Sequence, residues 1–580
     1  MIVVSDNYKV ACESTSRKSY VVAKYGVYNK EAKSKINNVT SNAKPFANVS
    51  KTFNEIKDTR YNYISCELGR VKLDGNYYFI SNKNSTNEKE ILAYWSSSLS
   101  NANGLFATNP KIVYSFSENI EFTELTLYFQ EVCEQFSVKY YLDTNLVAQR
   151  NVTNNSDLNV TTEGAVANAI TYFNKIEIEF IKTGTPKRYI KFNEIDFGTY
   201  EQFTEEQIAD YNIIEELNID SSSLSSNSLN LTIEDKSGDY DVLNPNNKLK
   251  KLQERQEISL YHYLQVGDSF QELPLGTFLL KKFDSKKNYL EIEAYDDTYF
   301  MNKTYYGSNF YQNASIGEIL GDLFNYFNYS KYVIDSTLNN IKLTGYVPNV
   351  EFREALRLIC EAGCCVVSKT RYGVTRIYKT QNVVAKYFKR NMIFSENPSR
   401  NLFNNVVDVV EYNFGNKTEK DVEIYNAELS VGEHTILYTN FPVDETTIKK
   451  AETNENYTII KAYATSCVVN VLAQTKVILK AILYSPTNIV KRITKTTDIV
   501  VDDYAISKVD NCLITSENAK TVGDWKLSRK DIKYNFDTLQ IPYVELGDTC
   551  TYQTAYNTNN TFTPTRIEFT KSIKQNFEGE

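Results

Sequence analysis

Histidine is scarce in this chain of 580 residues, and its scarcity limits the chemistry that the protein can perform. Only His262 and His434 occur, far apart and each without a second histidine or a cysteine nearby. Zinc sites need clustered imidazole or thiolate ligands, and serine or cysteine nucleophiles usually need a histidine base. The scarcity of histidine therefore disfavours most hydrolase chemistry, although it leaves chemistry that uses carboxylates alone open.

Long apolar segments are also missing. No run approaches 18 apolar residues and the mean hydropathy is −0.42, so we predict no membrane-spanning helix. The opening segment, MIVVSDNYKV, has neither a basic start nor an apolar stretch behind it. We therefore expect no signal peptide and synthesis in the cytoplasm of the producing cell.

An excess of basic residues is absent as well. Lysine and arginine number 64 against 72 aspartates and glutamates, which leaves a net charge of −8. Proteins that bind duplex DNA neutralise phosphates with a basic stripe. The composition therefore contains no sign of a DNA-binding protein.

The nine cysteines follow no regular spacing, which in a chain of this length indicates free, buried thiols rather than a disulfide framework. Three of them, Cys360, Cys364 and Cys365, lie close enough to suggest a metal or redox cluster. We predict instead that Cys360 lies on the apolar face of a helix, and that Cys364 and Cys365 point to opposite faces of the next strand. Core packing is the favoured interpretation.

Aromatic residues are abundant, at 13% of the chain, and tyrosine and phenylalanine favour half-buried strands. Between residues 105 and 198 apolar and polar residues alternate with a period of two and no helical periodicity interrupts them, which predicts a β-sandwich. The clearest segments there are KIVYSFS (111–117), ELTLYFQ (124–130), FSVKYYL (136–142) and NKIEIEF (174–180).

The rest of the chain mixes strands with a few helices. A helix over 315–327 begins with a capping box formed by Ser315 and Glu318. A second helix over about 350–362 ends at Gly363, which is well placed as its C′ residue. Further predicted elements are a hairpin that turns at Arg371-Tyr372-Gly373, a short helix within 511–535, and strand segments at 228–234, 273–283, 289–296, 404–414, 433–439, 476–484, 499–504, 544–553 and 563–573.

Several segments, in this order, resemble tail proteins of phages and prophages of Gram-positive bacteria. A first group of segments resembles the front of these proteins and a sandwich of the discoidin type, and it comprises residues 26–33, 63–80, 93–117, 124–130, 136–141 and 185–198. A second group resembles the phage tail or baseplate hub, and it comprises residues 217–235, 243–249, 274–280, 346–363, 371–378, 433–443, 508–516, 544–549 and 563–572.

The resemblance implies a trimer in which each subunit supplies two related β-barrels. Three subunits then form a ring of sixfold-like symmetry that joins the hexameric tail tube to threefold parts at the tip. Many members of the family carry a wall-degrading or fibre-like extension, and this chain departs from them by stopping at Glu580. Any hydrolase is then expected on another polypeptide.

Other candidate residues have an ordinary structural interpretation. Asp296 and Asp297 could form an acid–base pair, but adjacent strand residues point apart, and we expect a solvated turn. His262 and His434 are each expected on a strand, with no catalytic role. Isolated glycines do not form the glycine-rich loop of a phosphate site; these are Gly104, Gly267, Gly276 and Gly373.

Three aromatic residues near the start of the sandwich, Tyr94, Trp95 and Phe106, could stack on sugar rings, and the discoidin-type resemblance allows glycan binding. Large aromatic side chains are nevertheless usually buried, so core packing is favoured for each. Because edge strands and apolar patches need cover, a chain so rich in strands is also expected to use them in assembly.

We therefore predict a mainly β protein with minor α content. Its predicted parts are N-terminal hub strands (1–44), a discoidin-like β-sandwich (45–198), a first hub barrel (199–310), a small α/β portion (311–385), and a second hub barrel with the C-terminal region (386–580). We predict no catalytic, cofactor-binding or metal site, and no cofactor.

The predicted function is that of a structural hub of a phage tail tip, baseplate or phage-tail-like particle, located in the virion tail or the released particle. Expected partners are further copies in a homotrimer, the tail tube, and distal tail or baseplate proteins. Tail spike or tape measure proteins and a host-surface glycan are further candidates, with DNA only as passing cargo. Acidic residues lining a lumen would repel that DNA. The alternatives are a cell-wall-directed, glycan-binding adhesin and a wall hydrolase component.

Overall fold

The structure is a computed structural model, and it describes most of the chain. The described residues are 2–14, 16–28, 30–53, 63–67, 69–70, 93–121, 125–162, 172–244, 254–286, 288–380, 384–400, 406–451, 454–495, 506–530, 532–572 and 574–580. The predicted strand at 499–504, and parts of the resembling segments 63–80 and 243–249, lie outside them.

Residues 1–362 contain four α-helices and eighteen strands among the described residues. The helices are α1 (Asp6–Glu13), α2 (Lys30–Ser34), α3 (Ile316–Tyr326) and α4 (Phe352–Ala362). The strands are β1 (Ser19–Tyr28), β2 (Ile36–Ser41), β3 (Tyr94–Trp95), β4 (Lys111–Glu121), β5 (Leu125–Phe129), β6 (Cys133–Leu142), β7 (Asn145–Val152), β8 (Asn159–Thr162), β9 (Tyr172–Thr183), β10 (Lys191–Phe203), β11 (Ile208–Glu216), β12 (Ser228–Glu234), β13 (Glu257–Val266), β14 (Ser269–Lys286), β15 (Tyr289–Tyr295), β16 (Tyr311–Ser315), β17 (Tyr332–Ile334) and β18 (Lys342–Gly345).

The remainder is almost entirely β, with one further described helix, α5 (Ala519–Leu527). Its strands are β19 (Val366–Lys369), β20 (Thr375–Tyr378), β21 (Val384–Phe388), β22 (Ile393–Glu396), β23 (Ser399–Arg400), β24 (Val406–Asn413), β25 (Val422–Leu429), β26 (Gly432–Leu437), β27 (Lys449–Lys450), β28 (Tyr457–Ala462), β29 (Ser466–Val471), β30 (Thr475–Ala481), β31 (Thr487–Thr494), β32 (Ile506–Val509), β33 (Ile532–Leu539), β34 (Thr549–Gln553), β35 (Asn559–Phe562), β36 (Pro564–Thr570) and β37 (Lys574–Gly579).

Two compact units are formed. Unit 1 comprises Met1–Ala23, Phe203–Asp241 and Glu257–Glu580, and unit 2 comprises Lys24–Gln202 with Val242–Gln256. Unit 2 begins well before residue 45, where the sequence predicted the sandwich to start. The reason is that β2 pairs antiparallel with β4 and so belongs to a sheet of the sandwich.

Unit 2 contains a β-sandwich, as the alternating segments predicted. One sheet has the strand order β2-β4-β9-β6-β7, and the other joins β10, β5 and β8, with β3 paired to β10. The inward residues of the two sheets interdigitate: the ring of Phe129 on β5 lies 6.0 Å from that of Phe180 on β9 and 5.5 Å from that of Phe192 on β10. Alternating burial on each strand therefore closes one apolar core.

Within unit 1 nine strands form one sheet in the order β22-β33-β37-β36-β11-β12-β15-β14-β13. The sequence placed two hub barrels in separate ranges, 199–310 and 386–580. In the structure the two ranges share this sheet, because β11 pairs antiparallel with β36 over Asn212–Glu216 and Arg566–Thr570. Local alternation identifies a strand but not its partner, so this pairing of distant segments was not predictable.

The small α/β portion is built around α3 and α4, whose predicted apolar faces pack into a common core. The Ser315 hydroxyl accepts a hydrogen bond from the backbone N–H of Glu318 and caps α3, as the capping-box pattern predicted. The predicted hairpin forms from β19 and β20, which pair antiparallel. The strands β24 and β32 and the helix α5 complete the same core.

The end of α4 differs from the prediction. Gly363 has φ −91° and caps the helix, and the left-handed residue is Cys364, at φ +52°. A Cβ on Gly363 would lie 2.1 Å from Cδ1 of Ile316, so close packing against α3 explains the glycine better than backbone freedom does. The strand starts only at Val366, so Cys364 and Cys365 lie in the turn before it.

A smaller sandwich follows in unit 1. Its sheets have the orders β25-β30-β27 and β26-β29-β28, and their inward residues share one core. The whole chain is thus mainly β with minor α content, as predicted. Among the described residues no helix is long and apolar enough to span a membrane.

Candidate functional site

The nine-stranded sheet of unit 1 has one buried side and one polar side. On β12, for example, Leu229, Leu231 and Ile233 are buried, and the residues between them point to the other side. We call this other side the polar face. Its residues include Asp210, Asn212 and Glu216 of β11; Asn230, Thr232 and Glu234 of β12; Lys282, Asp284 and Lys286 of β14; Glu291 and Glu293 of β15; Asp537 and Lys533 of β33; Arg566 and Glu568 of β36; and Asn576 and Glu578 of β37.

The polar face is continuous because directly paired residues follow one another across the strands. One such row is Ser395–Asp537–Asn576–Glu568–Ile214–Ser228–Tyr295. Hydrogen bonds link parts of the row: Ser395 Oγ donates to Asp537 Oδ2 at 2.6 Å, and Asn576 Nδ2 donates to Asp537 Oδ1 at 2.9 Å. Strands from two distant parts of the chain, residues 208–295 and 393–579, therefore build one surface.

Acidic residues outnumber basic ones on the polar face, and most of the basic ones are paired. Lys286 Nζ lies 2.6 Å from Glu291, Lys533 Nζ lies 2.6 Å from Glu578, and Arg566 Nη1 lies 2.9 Å from Glu568. Lys282 Nζ also donates to Asp284 at 2.5 Å, and this hydrogen bond raises the pKa of Lys282 above its ordinary value. The paired cations leave a surface with residual negative charge, which suits the repulsion of phosphates rather than their binding.

Beneath this sheet Arg371 forms a buried anchor. Its guanidinium binds both carboxylate oxygens of Glu215 on β11, at 2.7 and 2.8 Å, and also donates to the carbonyl oxygens of Pro542 and Val544. Although burial acts to lower it, the Glu215 carboxylate holds the pKa of Arg371 above its ordinary value. The side chain lies over the ring of Phe569, 4.7 Å from its centroid. The β19–β20 turn is thereby fixed to the sheet.

Asp296 and Asp297 do not form the solvated turn that we predicted. Asp296 is buried and accepts hydrogen bonds from the backbone N–H groups of Asn227 and Thr298, and burial raises its pKa to about 6. Asp297 lies 2.6 Å from the Lys369 ammonium. The prediction was wrong because Asp296 caps a short 3₁₀ helix against a segment some 70 residues away. Each carboxylate has a structural partner of its own.

The cysteine trio lies in the core, as expected. Cys360, Cys364 and Cys365 are all free and buried. The contact with Cys365 and burial raise the pKa of Cys360 well above its ordinary value, and burial raises that of Cys364 to about 12. Thiolates are therefore disfavoured. In the part of the chain that the structure describes, no three histidine, cysteine or acidic residues are grouped to hold a metal ion.

His262 lies on β13, as predicted, and is almost wholly buried. Its Nδ1 is 3.5 Å from the hydroxyl of Tyr8 on α1, and its Nε2 has no hydrogen-bond partner among the described residues. It lines a cavity of about 60 Å³ with Glu205, Tyr211 and Lys571, among others. Burial, and secondarily the charge of Arg17, lower the pKa of His262 to about 3. The partly exposed His434 lies on strand β26, also as predicted.

The neutral state of His262 makes stability depend on pH. Because its pKa falls from 6.5 in the unfolded chain to about 3 in the folded one, the unfolded chain binds the additional proton between these values. The contribution of His262 to the free energy of unfolding is therefore fully present above pH 7. It declines on acidification, by about 2 kcal/mol between pH 7 and pH 5. Urea unfolding at both pH values tests this. We expect the loss of stability between pH 7 and pH 5 to be smaller by this amount in His262→Gln than in the unmodified protein, and unchanged in His434→Gln. An equal loss in the unmodified protein and both variants contradicts the assignment.

The aromatic residues considered for sugar stacking are all buried, in agreement with core packing. Trp95 is 1% exposed, and Tyr94 and Phe106 are 2% and 9% exposed. The Trp95 ring is covered by Tyr189 and by the Lys191 ammonium, which lies 4.6 Å from the ring centroid. The faces of these aromatic rings are therefore not accessible to a glycan.

The isolated glycines occupy structural positions. Gly267 and Gly373 form the turns of the β13–β14 and β19–β20 hairpins with positive φ, and Gly104 lies in a loop before β4. Gly276 lies inside β14. None of the four precedes an α-helix in the manner of a phosphate site.

Sequence reasoning missed two buried polar clusters. The sequence pattern predicts only a turn at Arg371, and it gives no sign of the contacts of Lys33 with Glu194 and Asp196. Each cluster joins residues more than 150 positions apart, so no local spacing marks it.

Comparison with known proteins yields distant structural similarities only. No protein-family model and no curated protein matches the chain. A 43 kDa prophage tail protein from Shewanella oneidensis is 10% identical, with a TM-score of 0.37, over 66% of this chain and 94% of its own. A tail protein from Neisseria meningitidis is 10% identical, with a TM-score of 0.36, over 66% and 93%. A prophage tail protein from Listeria monocytogenes is 9% identical, with a TM-score of 0.35, over 66% and 91%.

Proposed function

We propose that this chain is the structural hub subunit of a phage tail tip or baseplate, or of a phage-tail-like particle. Three copies form a ring whose lumen is lined by the polar face. The observation that carries the proposal is the continuity of this face, which strands from residues 208–295 and from residues 393–579 build together. The order of the hub-like segments in the sequence supports it independently.

In this proposal the protein acts by shape and charge, without bond chemistry. The ring joins the tail tube to distal tail or baseplate proteins, and its negative lumen allows DNA to pass without sticking. The sandwich of unit 2 is a discoidin-like structural module of the same subunit. The burial of Trp95, Tyr94 and Phe106 removes the main reason to assign glycan binding to it.

The oligomeric state tests the proposal directly. Native mass spectrometry or light scattering of the purified 66.7 kDa chain, or of a tail tip that contains it, is expected to show three copies. A chain that stays monomeric at high concentration, and that is absent from purified tail tips, contradicts the hub assignment.

Charge reversal on the polar face tests the role of the lumen. Glu291→Lys with Glu293→Lys is expected to leave trimer formation unchanged and to slow DNA ejection at least several-fold, because phosphates are then attracted to the wall. Ejection from phage that carries the variant is the measurement. The matched control is Glu423→Lys with Glu428→Lys on β25, whose side chains are exposed on the smaller sandwich. Equal ejection rates in both variants contradict a lumenal polar face.

A further inference from the structure

Lys33, in the short helix α2, lies against two buried carboxylates of β10 in unit 2. Its Nζ is 2.5 Å from Oε1 of Glu194 and 2.6 Å from Oδ1 of Asp196. The side chains of Glu194 and Asp196 are 0% and 2% exposed, and that of Lys33 is 18% exposed. The two acids point to the same face of the strand because they are two positions apart.

We propose that Lys33 and Asp196 form an amide bond within the chain, with Glu194 as the acid–base group. Charges are costly to bury, and a proton that moves from the lysine ammonium to Glu194 leaves a neutral amine and a neutral acid. A neutral amine is a nucleophile, and a neighbouring carboxylic acid can supply protons to a leaving oxygen. These are the two species that amide formation needs.

The geometry suits the attack. Since a C–O bond is about 1.2 Å long, the 2.6 Å contact with Oδ1 places Cγ of Asp196 within about 4 Å of Nζ. Reacting atoms held at about 3–3.5 Å are in near-attack position, so only a small movement of the lysine end is required. Burial of the site excludes the water that would otherwise reverse the reaction.

The reaction balances without a co-reactant. The Nζ lone pair forms the N–C bond at Cγ, and a C–O bond of Asp196 breaks. The departing oxygen takes up both protons that the ammonium gives up, one of them through Glu194, and it leaves as one molecule of water. Glu194 returns to its starting state, and no atom is oxidised or reduced.

A second buried lysine in the same unit is an internal comparison. Lys191 Nζ lies 2.5 Å from Glu67 and 2.7 Å from Glu131. The Trp95 ring beneath it stabilises the ammonium form. Although burial acts to raise it, Lys191 holds the pKa of Glu67 below its ordinary value. Lys191 is therefore an ion-pair partner, and we expect no amide there.

Mass spectrometry of the full-length purified protein tests the proposal. We expect an intact mass lower than the sequence mass by one water, and, after digestion, a branched peptide that joins Lys33 to Asp196, with Lys191 in an ordinary linear peptide. A folded protein with the full sequence mass and an unmodified Lys33 peptide overturns the proposal. A branch from Lys33 to Glu194 overturns the assigned roles.

Variants distinguish the role of Asp196, which is attacked, from that of Glu194, which transfers protons. Asp196→Ala is expected to have the full mass expected for its sequence, since it has no carboxyl to attack. Glu194→Gln retains the Lys33–Asp196 pair and is expected to lose most of the cross-link. Glu67→Gln, at the comparison site, is expected to keep the loss of one water. Complete cross-linking in Glu194→Gln contradicts the acid–base role of Glu194. A mass lower by one water in Asp196→Ala contradicts the amide bond between Lys33 and Asp196.

Discussion

Replacing Arg371 by alanine is expected to lower the free energy of unfolding by about 3–5 kcal/mol, as measured by urea unfolding. The variant leaves the buried Glu215 carboxylate without its bidentate partner, and it leaves the carbonyl oxygens of Pro542 and Val544 without this donor. It also removes the guanidinium that packs on Phe569. An uncompensated buried charge costs far more than the intact ion pair contributes.

The exposed pair of Arg492 and Asp408 is a matched control. It has the same bidentate geometry, at 2.8 and 2.9 Å, but the arginine side chain is 55% exposed. Arg492→Ala is therefore expected to cost less than about 1 kcal/mol. The double variant Arg371→Met with Glu215→Leu should recover most of the lost stability, since it removes both charges. Similar losses for Arg371→Ala and Arg492→Ala contradict the anchoring role.

Gly345→Ala is expected to destabilise the protein by at least about 3 kcal/mol. Gly345, the last residue of β18, has φ +134°, a conformation that residues with a side chain rarely adopt. A Cβ would also lie 2.0 Å from the backbone carbonyl oxygen of Cys512. The neighbour is backbone in the α/β core, so a side-chain rotation cannot relieve the clash.

Gly321→Ala is the control for this substitution. Gly321 lies inside α3, and a Cβ there meets no atom within 4 Å. Alanine favours a helix interior over glycine, so the variant is expected to gain up to about 1 kcal/mol. Thermal or urea unfolding of the two variants gives the comparison. A Gly345→Ala protein as stable as Gly321→Ala shows that the Cys512 carbonyl can move away at little cost.

Much of the secondary structure was predictable because its signals are local. The alternation in residues 174–180 identified β9, and the spacing of Ile316, Ile319, Leu320, Leu323 and Phe324 identified α3 with its Ser315 cap. The burial of Trp95 and of the cysteine trio followed from residue type. The errors arose where a distant segment supplied the environment: the backbone N–H of Asn227 donates a hydrogen bond to the buried Asp296 carboxylate, and Ile316 occupies the space at Gly363.

The amino-acid sequence by itself determined that the protein is mainly β, that its helices are few, and that its two histidines are too far apart in the chain to suggest a histidine-based site. These properties depend on composition and on periodicities of two and 3.6 residues, which neighbouring side chains create. Only the tertiary structure decided that β11 pairs with β36, that Arg371 meets Glu215, and that Lys33 meets Asp196. Such contacts join positions far apart in the chain, and they form only when the strands have paired and the polar groups between them have been taken out of water.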